Sequence, residues 1–133
     1  MPGPIPLLIR TANWVLTDGT KILAVRTRDR DRFYLPGGKI DAGESPQNAL
    51  IREIHEELGV ALIPDSLTRL GIFTGSGHNL PPDARIEMTC FSASYTGQFQ
   101  PGREIAEYAW LGPADRHLMA PMGQQIATTL CDI

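Results

Sequence analysis

The sequence predicts an α/β domain in which a mixed sheet packs between helices. Three observations carry this reading. Short β-rich runs precede a well-capped helix at residues 46–58, further β-rich runs follow it, and an apolar-periodic stretch at 121–130 closes the chain. Strands on both sides of a helix, then a terminal helix, suit a sheet covered on both faces. The 133 residues favour one domain spanning 1–133, long enough to bury a core without disulfides or structural metals.

Residues 1–6 are proline-rich and read as extended. Leu7 to Leu16 is a strand candidate. Asp18-Gly19 marks a hairpin turn, and Lys21 to Arg26 is its partner strand. Thr27 to Arg32 is a charged loop. Phe33 to Leu35 is a short strand feeding the turn Leu35-Pro36-Gly37-Gly38.

The helix at Pro46–Leu58 rests on local chemistry. Ser45 can accept from first-turn amides as an N-cap. Pro46 fits the first helical position, where a missing N–H costs nothing. Gly59 suits a left-handed stop. At about 100° per residue, Leu50, Ile51, Ile54 and Leu58 share one arc, the buried face.

Leu62 to Ser66 reads as a linker and Leu67 to Thr74 as a strand. Gly75 to Arg85, with two glycines and two prolines, is a loop. Ile86 to Tyr95 is a long strand. Glu104 to Leu111 is the last strand, despite its helix-friendly alanines. Pro121 to Leu130 is a second helix, with Met122, Ile126 and Leu130 at i, i+4, i+8.

Glu53, Glu56 and Glu57 stand at i, i+3, i+4, so three carboxylates converge on one helix face. Like charges so placed destabilise an isolated helix by a few tenths of a kcal/mol per pair. A hard divalent cation with oxygen ligands would offset that cost. From the helix alone, a solvated acidic face is an equal alternative.

The preceding loop decides between them. Gly38, Glu44, Arg52, Glu53, Ile54, Glu56, Glu57, Gly59 and Val60 occupy every fixed position of the pattern G-x5-E-x7-R-E-U-x-E-E-x-G-U, with U a bulky aliphatic residue. This is the Nudix box, and the chain resembles the Nudix hydrolase family. The resemblance implies an α/β/α sandwich of Nudix type. It implies cleavage of the pyrophosphate linkage in a nucleoside diphosphate joined to a group X, with Mg²⁺ or Mn²⁺ as cofactor. Small relatives of mutator type act on oxidised or ordinary (deoxy)nucleoside triphosphates, and others on ADP-ribose or dinucleoside polyphosphates. The leaning here is to nucleoside triphosphates.

The resemblance also assigns roles. Glu56 and Glu57 are implied metal ligands. Glu53 is implied to hold metal directly or through water and is the candidate general base. The Gly37 carbonyl often completes a metal site in relatives. Arg52 and Glu44 are implied to pair and brace the loop, with Glu44 near the metal. A later acidic residue often joins; Glu104 is preferred over Glu107. Arg26, Arg28, Gly38 and Lys39 are the candidates for substrate phosphates, the two arginines because they leave a strand directed at the site. Trp14, Phe33, Tyr34 and Phe73 could stack on a base, although aromatic residues in strands are more often core. Tyr108 and Trp110 read as structural, and His78 as a solvent-facing loop histidine.

Composition sets the remaining bounds. Twelve basic and 15 acidic residues give a net charge of −3, too mild and mixed for nonspecific nucleic-acid binding. A small-molecule nucleotide is the expected partner, and a homodimer is compatible with the sequence. Cys90 and Cys131 are too few for a disulfide framework and read as buried small hydrophobes. The chain start lacks the basic and apolar regions of a signal peptide, and no run approaches the roughly 20 apolar residues of a membrane span. The expectation is a cytoplasmic protein. A binding-only module with a decayed box is disfavoured, because every box carboxylate is intact.

Overall fold

A computed structural model describes residues 7–77 and 80–133. The proline-rich start and His78 lie outside the described residues. The strands are β1 (Leu8–Trp14), β2 (Thr17–Asp18), β3 (Lys21–Thr27), β4 (Gly37–Lys39), β5 (Ala61–Leu62), β6 (Thr68–Ser76), β7 (Arg85–Ser92), β8 (Tyr95–Thr96) and β9 (Ile105–Leu111); the helices are α1 (Pro46–Leu58) and α2 (Pro121–Cys131).

The mixed sheet runs β4-β1-β7-β6, and a three-stranded antiparallel sheet, β2-β3-β9, stands beside it. Strands β1 and β7 pair in parallel from Leu8↔Arg85 to Trp14↔Phe91. The α/β/α layering follows from the two-residue alternation of side chains along a strand. On β3, Leu23 and Val25 join the cluster packed with Leu50, Ile54 and Leu58 of α1. Their neighbours Ile22 and Ala24 join the cluster packed with Ile126 and Ala127 of α2. On β7, Phe91 falls to the α1 side and Cys90 to the α2 side. Each helix therefore covers its own face of the strands.

Helix α1 starts and stops as the sequence indicates. Ser45 Oγ accepts from Asn48 N–H at 3.1 Å, and Gly59 closes the helix in the left-handed region at φ 71°. Its buried residues are Ala49, Leu50, Ile54 and Leu58, with Ile51 only partly covered.

Several boundaries differ, each for a tertiary reason. The glycine turn is itself a strand: Gly37–Lys39 pairs antiparallel with Thr11–Asn13. Phe33–Leu35 makes only isolated bridges, Val25↔Tyr34 and Phe33↔Met119. The expected linker opens with β5, which pairs with β8, and continues as a 3₁₀ turn at Pro64–Ser66. The long strand expected to reach Tyr95 stops at Ser92, because Tyr95 leaves to pair with Leu62. Strand β6 extends to Ser76 and carries a bulge between Arg69 and Gly71. A second 3₁₀ turn at Pro113–Leu118 has no counterpart in the sequence reading. Cys90 is buried and its thiol is pushed up to about 12 by burial, but Cys131 is only partly covered.

Candidate active site

One face of α1, the turn before it and the strap 100–104 before β9 enclose the chemistry. Arg52 is the node on the loop side. Its Nε donates to Glu44 Oε2 at 2.9 Å and its Nη2 to Glu44 Oε1 at 2.9 Å, a bidentate contact. The same Nη2 donates to the Lys39 carbonyl at 3.1 Å, and Nη1 donates to Glu53 Oε1 at 2.9 Å. Glu44 Oε1 also accepts from Asp41 N–H at 3.0 Å. These bonds tie the loop from Lys39 to Glu44 onto the helix. Arg52 holds the Glu44 carboxyl down at about 2.

The glycine before the loop is required by close approach. A side chain on Gly38 would run into the Glu53 carboxylate. Its bareness lets β4 lie against the carboxylate face of α1. One residue earlier, Gly37 N–H donates to Glu57 Oε1 at 2.9 Å.

The other side of the helix is arranged differently. Glu53, Glu56, Glu57 and Glu104 line a cavity of about 280 Å³ with Arg103 and Gly102. Glu57 keeps some exposure at the cavity mouth but sits deep among protein atoms. Burial pushes its carboxyl up to about 8, and the nearby Glu53, Glu104 and Glu56 charges push the same way; the Gly37 N–H only partly offsets them. Burial also raises the Glu53 carboxyl, against the opposing pull of Arg52.

This donor set fits a hard divalent cation: the oxygens are carboxylates, and the deepest of them lacks a cationic partner among the described residues. Among those residues no three His, Cys, Asp or Glu side chains hold an ion by themselves. A cation bound here therefore takes part of its shell from water and substrate phosphate, as Mg²⁺ does.

Next to the acidic cavity lies a mainly basic one of about 710 Å³, lined by Arg28, Arg30, Lys39 and Arg103 with Asp29, Thr27 and Gly38. The two share Arg103 and Glu104. A third cavity of about 330 Å³ shares Thr27, Arg30, Gly38 and Lys39 with the basic one and adds Ile9, Tyr34, Leu80 and Ile86. It leads to an apolar pocket of about 130 Å³ bounded by Tyr34, Met88 and Met122, with Thr11 and Asn13 on its floor. The Thr11 hydroxyl donates to Asn13 Oδ1 at 2.7 Å, and Asn13 Nδ2 donates to the Leu35 carbonyl at 3.2 Å. Acidic, basic and apolar walls thus follow one another along a single groove.

The sequence candidates fall into this groove unevenly. Glu53, Glu56, Glu57, Glu104, Arg28, Gly38 and Lys39 line it. Arg26 does not line these cavities: its Nε donates to Glu107 Oε1 at 3.2 Å and its Nη1 to the Arg30 carbonyl at 3.0 Å. That pair also draws Glu107 away, leaving Glu104 as the later carboxylate beside α1. Of the four aromatic candidates, Tyr34 lines the groove, whereas Trp14 is fully buried, edge-on to Tyr95 at 5.3 Å. Phe33 is buried, and Phe73 packs against the α2 core.

Sequence reasoning did not single out Arg30, which stood among the other charges of the loop 27–32, and it missed Arg103 and Gly102. Gly102 is the middle of Pro101-Gly102-Arg103, whose proline and glycine by themselves signal only a chain break. A side chain there would run into the Glu56 carbonyl.

The profile of the NUDIX domain matches residues 7–132. The chain is 30% identical over 125 residues to the uncharacterized Nudix hydrolase YvcI of Bacillus subtilis, covering 84% of this chain and 77% of that protein. It is 30% identical over 113 residues to the nucleoside triphosphatase NudI of Escherichia coli, covering 76% and 79%. The crystal structure of a MutT NUDIX hydrolase from Burkholderia pseudomallei superposes with a TM-score of 0.75 at 18% identity, over 92% of this chain and 98% of that one. The last likeness concerns the fold alone.

Proposed function

The chain belongs to the Nudix family, and we propose that this Nudix pyrophosphohydrolase acts on (deoxy)nucleoside triphosphates with Mg²⁺ or Mn²⁺, releasing nucleoside monophosphate and pyrophosphate. The groove carries this reading. Its acidic, basic and apolar stretches occur in the order that a cation, a polyphosphate and a nucleobase would need.

Phosphoryl transfer depends mostly on positioning and charge neutralisation. The cation, when bound, neutralises phosphate oxygens and lowers the pKa of attacking water. Glu56, Glu57, Glu53 and Glu104 are the residues that would hold it. Arg28, Arg30, Lys39 and Arg103 face the phosphates. Glu53 is oriented by Arg52 Nη1, and burial raises its proton affinity, which suits a general base near neutral pH. Water forms a new bond to the α- or β-phosphorus, its proton passes to Glu53, and the α–β bridging P–O bond breaks, the bridging oxygen keeping the electron pair and leaving on the other product. The base end lies against Tyr34, Met88 and Met122, sheltered from water.

The test is a substrate panel with Mg²⁺ or Mn²⁺ and product identification by mass. It sets ordinary and oxidised (deoxy)nucleoside triphosphates beside ADP-ribose and dinucleoside polyphosphates. The highest kcat/KM is expected for a triphosphate, with monophosphate and pyrophosphate formed together. A higher kcat/KM for ADP-ribose or a dinucleoside polyphosphate overturns the substrate class. No turnover of any compound overturns the chemistry.

A further inference from the structure

The strap 100–104 brings Glu104 and Arg103 to the site, although no side chain of α1 bonds to it. Main-chain bonds set its place. On the helix side, Gln100 N–H donates to the Leu58 carbonyl at 2.7 Å and Gly102 N–H to the Glu57 carbonyl at 2.8 Å. These are C-terminal helix carbonyls, which lack partners within the helix. The fit has no slack, since a side chain on Gly102 would run into the Glu56 carbonyl.

On the opposite side the strap has one further holder, Arg28. Its main-chain N–H donates to the Glu104 carbonyl at 2.9 Å, and its Nε donates to the Arg103 carbonyl at 2.7 Å. Both carbonyls belong to strap residues that line the groove. A residue needed only for phosphate would point all its donors into the basic cavity. Arg28 instead commits Nε to the main chain beside Glu104.

We propose that Arg28 is a positioning residue for the cation site: it braces the strap from the groove side and so fixes Glu104 against Glu56 and Glu57. This rests on the reading of Glu104 as one of the cation-holding carboxylates. Phosphate and cation are then linked through one residue, whose Nε serves the strap while the residue also lines the basic cavity.

Electrostatics makes the test decisive. Removing a positive charge near a cation site strengthens cation binding by Coulomb's law. Loss of a brace weakens it. Mn²⁺ binding is measured on the full chain without substrate, by electron paramagnetic resonance of the free ion. Arg28→Ala is expected to bind Mn²⁺ at least about fivefold more weakly, against the Coulomb expectation. Arg28→Lys keeps the charge but not the guanidinium fork, and weakens it too. Lys39→Ala, whose side chain makes no bond to the strap, does not weaken it. Gly102→Ala, which pushes the strap off the helix, weakens it as Arg28→Ala does. Amide exchange at Ile105, whose N–H donates to the Gly102 carbonyl at 3.0 Å, is expected to quicken in Arg28→Ala. Mn²⁺ affinity in Arg28→Ala equal to or tighter than the parent overturns the proposal, and so does unchanged exchange at Ile105. Glu104→Gln with parental Mn²⁺ affinity also overturns it. That outcome leaves the nucleotide reading to the Glu57 variant and the substrate panel.

Discussion

Two sets of carboxylates meet at helix α1, one anchored in the loop before it and one on its own face, and they differ in charge compensation. On the loop side, Glu44 takes both prongs of the Arg52 guanidinium and an N–H besides. Its proton affinity falls to about 2. On the cavity side, Glu57 receives only the Gly37 N–H and faces three other carboxylates, and its proton affinity rises to about 8. The same residue type on one short stretch serves architecture where its charge is matched inside the protein. In the proposed reading, it serves chemistry where the match is left to an outside cation. Glu53 stands between the two, bonded to Arg52 yet lining the cavity.

The largest test of this contrast is Glu57→Gln. Turnover is expected to fall at least about a hundredfold, the scale of losing one strong electrostatic element. Gln matches Glu in shape and helix propensity, and one of several repelling charges is gone, so metal-free protein should melt at the parental temperature or higher. Parental turnover together with parental melting would remove Glu57 from the cation set.

Next is Arg52→Ala, which strikes the compensated side. It leaves Glu44 with only the Asp41 N–H, and Glu53 and the Lys39 carbonyl without their Arg52 donor. The loop then loosens, and turnover should drop about tenfold to a hundredfold, as for an ångström-scale misplacement. Melting should fall as well, unlike the cavity-side variant. Unchanged kcat with a much larger KM would assign Arg52 to substrate binding instead.

A smaller effect lies in pH, where the two sides have opposite signs. Glu57 binds its proton more tightly folded than unfolded, so its contribution is full below its ordinary value of 4.5 and is lost as pH rises toward about 8. Glu44 contributes above 4.5, and that contribution is lost as pH falls toward about 2. Metal-free melting temperature should therefore decline between pH 4.5 and 8, and saturating Mg²⁺ should flatten the decline. Glu57→Gln should flatten it without metal; a slope that persists in that variant assigns it to other groups.

The smallest expected effect is Asp41→Asn. Asp41 reaches Arg52 at 3.4 Å with its side chain 70% exposed, and exposed pairs contribute about 0–1 kcal/mol. Activity should stay within about twofold. A loss on the scale of Arg52→Ala would show that the loop depends on Asp41 as much as on Glu44.

How far the site was legible follows the range of the interactions. Helix α1 was written locally, in Ser45, Pro46 and Gly59, and so its carboxylate face could be read from spacing. Arg52 with Glu44 was legible only through the family pattern, eight positions apart. Arg26 misled because a strand end says where a residue sits but not which partner claims it; Glu107, on the adjacent strand, does. Gly37 and Gly38 read as the end of a turn because nothing local shows that β1 lies beside them. Gly102 carried only a break signal, since its role depends on carbonyls 45 and 46 positions away, at Glu57 and Glu56. The apolar end of the groove is assembled from β1, β7 and α2, and no window of sequence contains it.

The orientation of α1 has one more consequence. Its peptide dipoles add up to about half a negative charge at the C-terminal end, the end that bears Glu53, Glu56 and Glu57. Strap amides cover the Glu57 and Leu58 carbonyls, but the remaining backbone still leaves a negative potential at this end of the helix. If this face holds a cation as proposed, the backbone adds an attraction beyond that of the side chains, felt before any ligand bond forms. That capture should slow as ionic strength rises, since the Debye length shrinks to about 10 Å at 0.1 M salt.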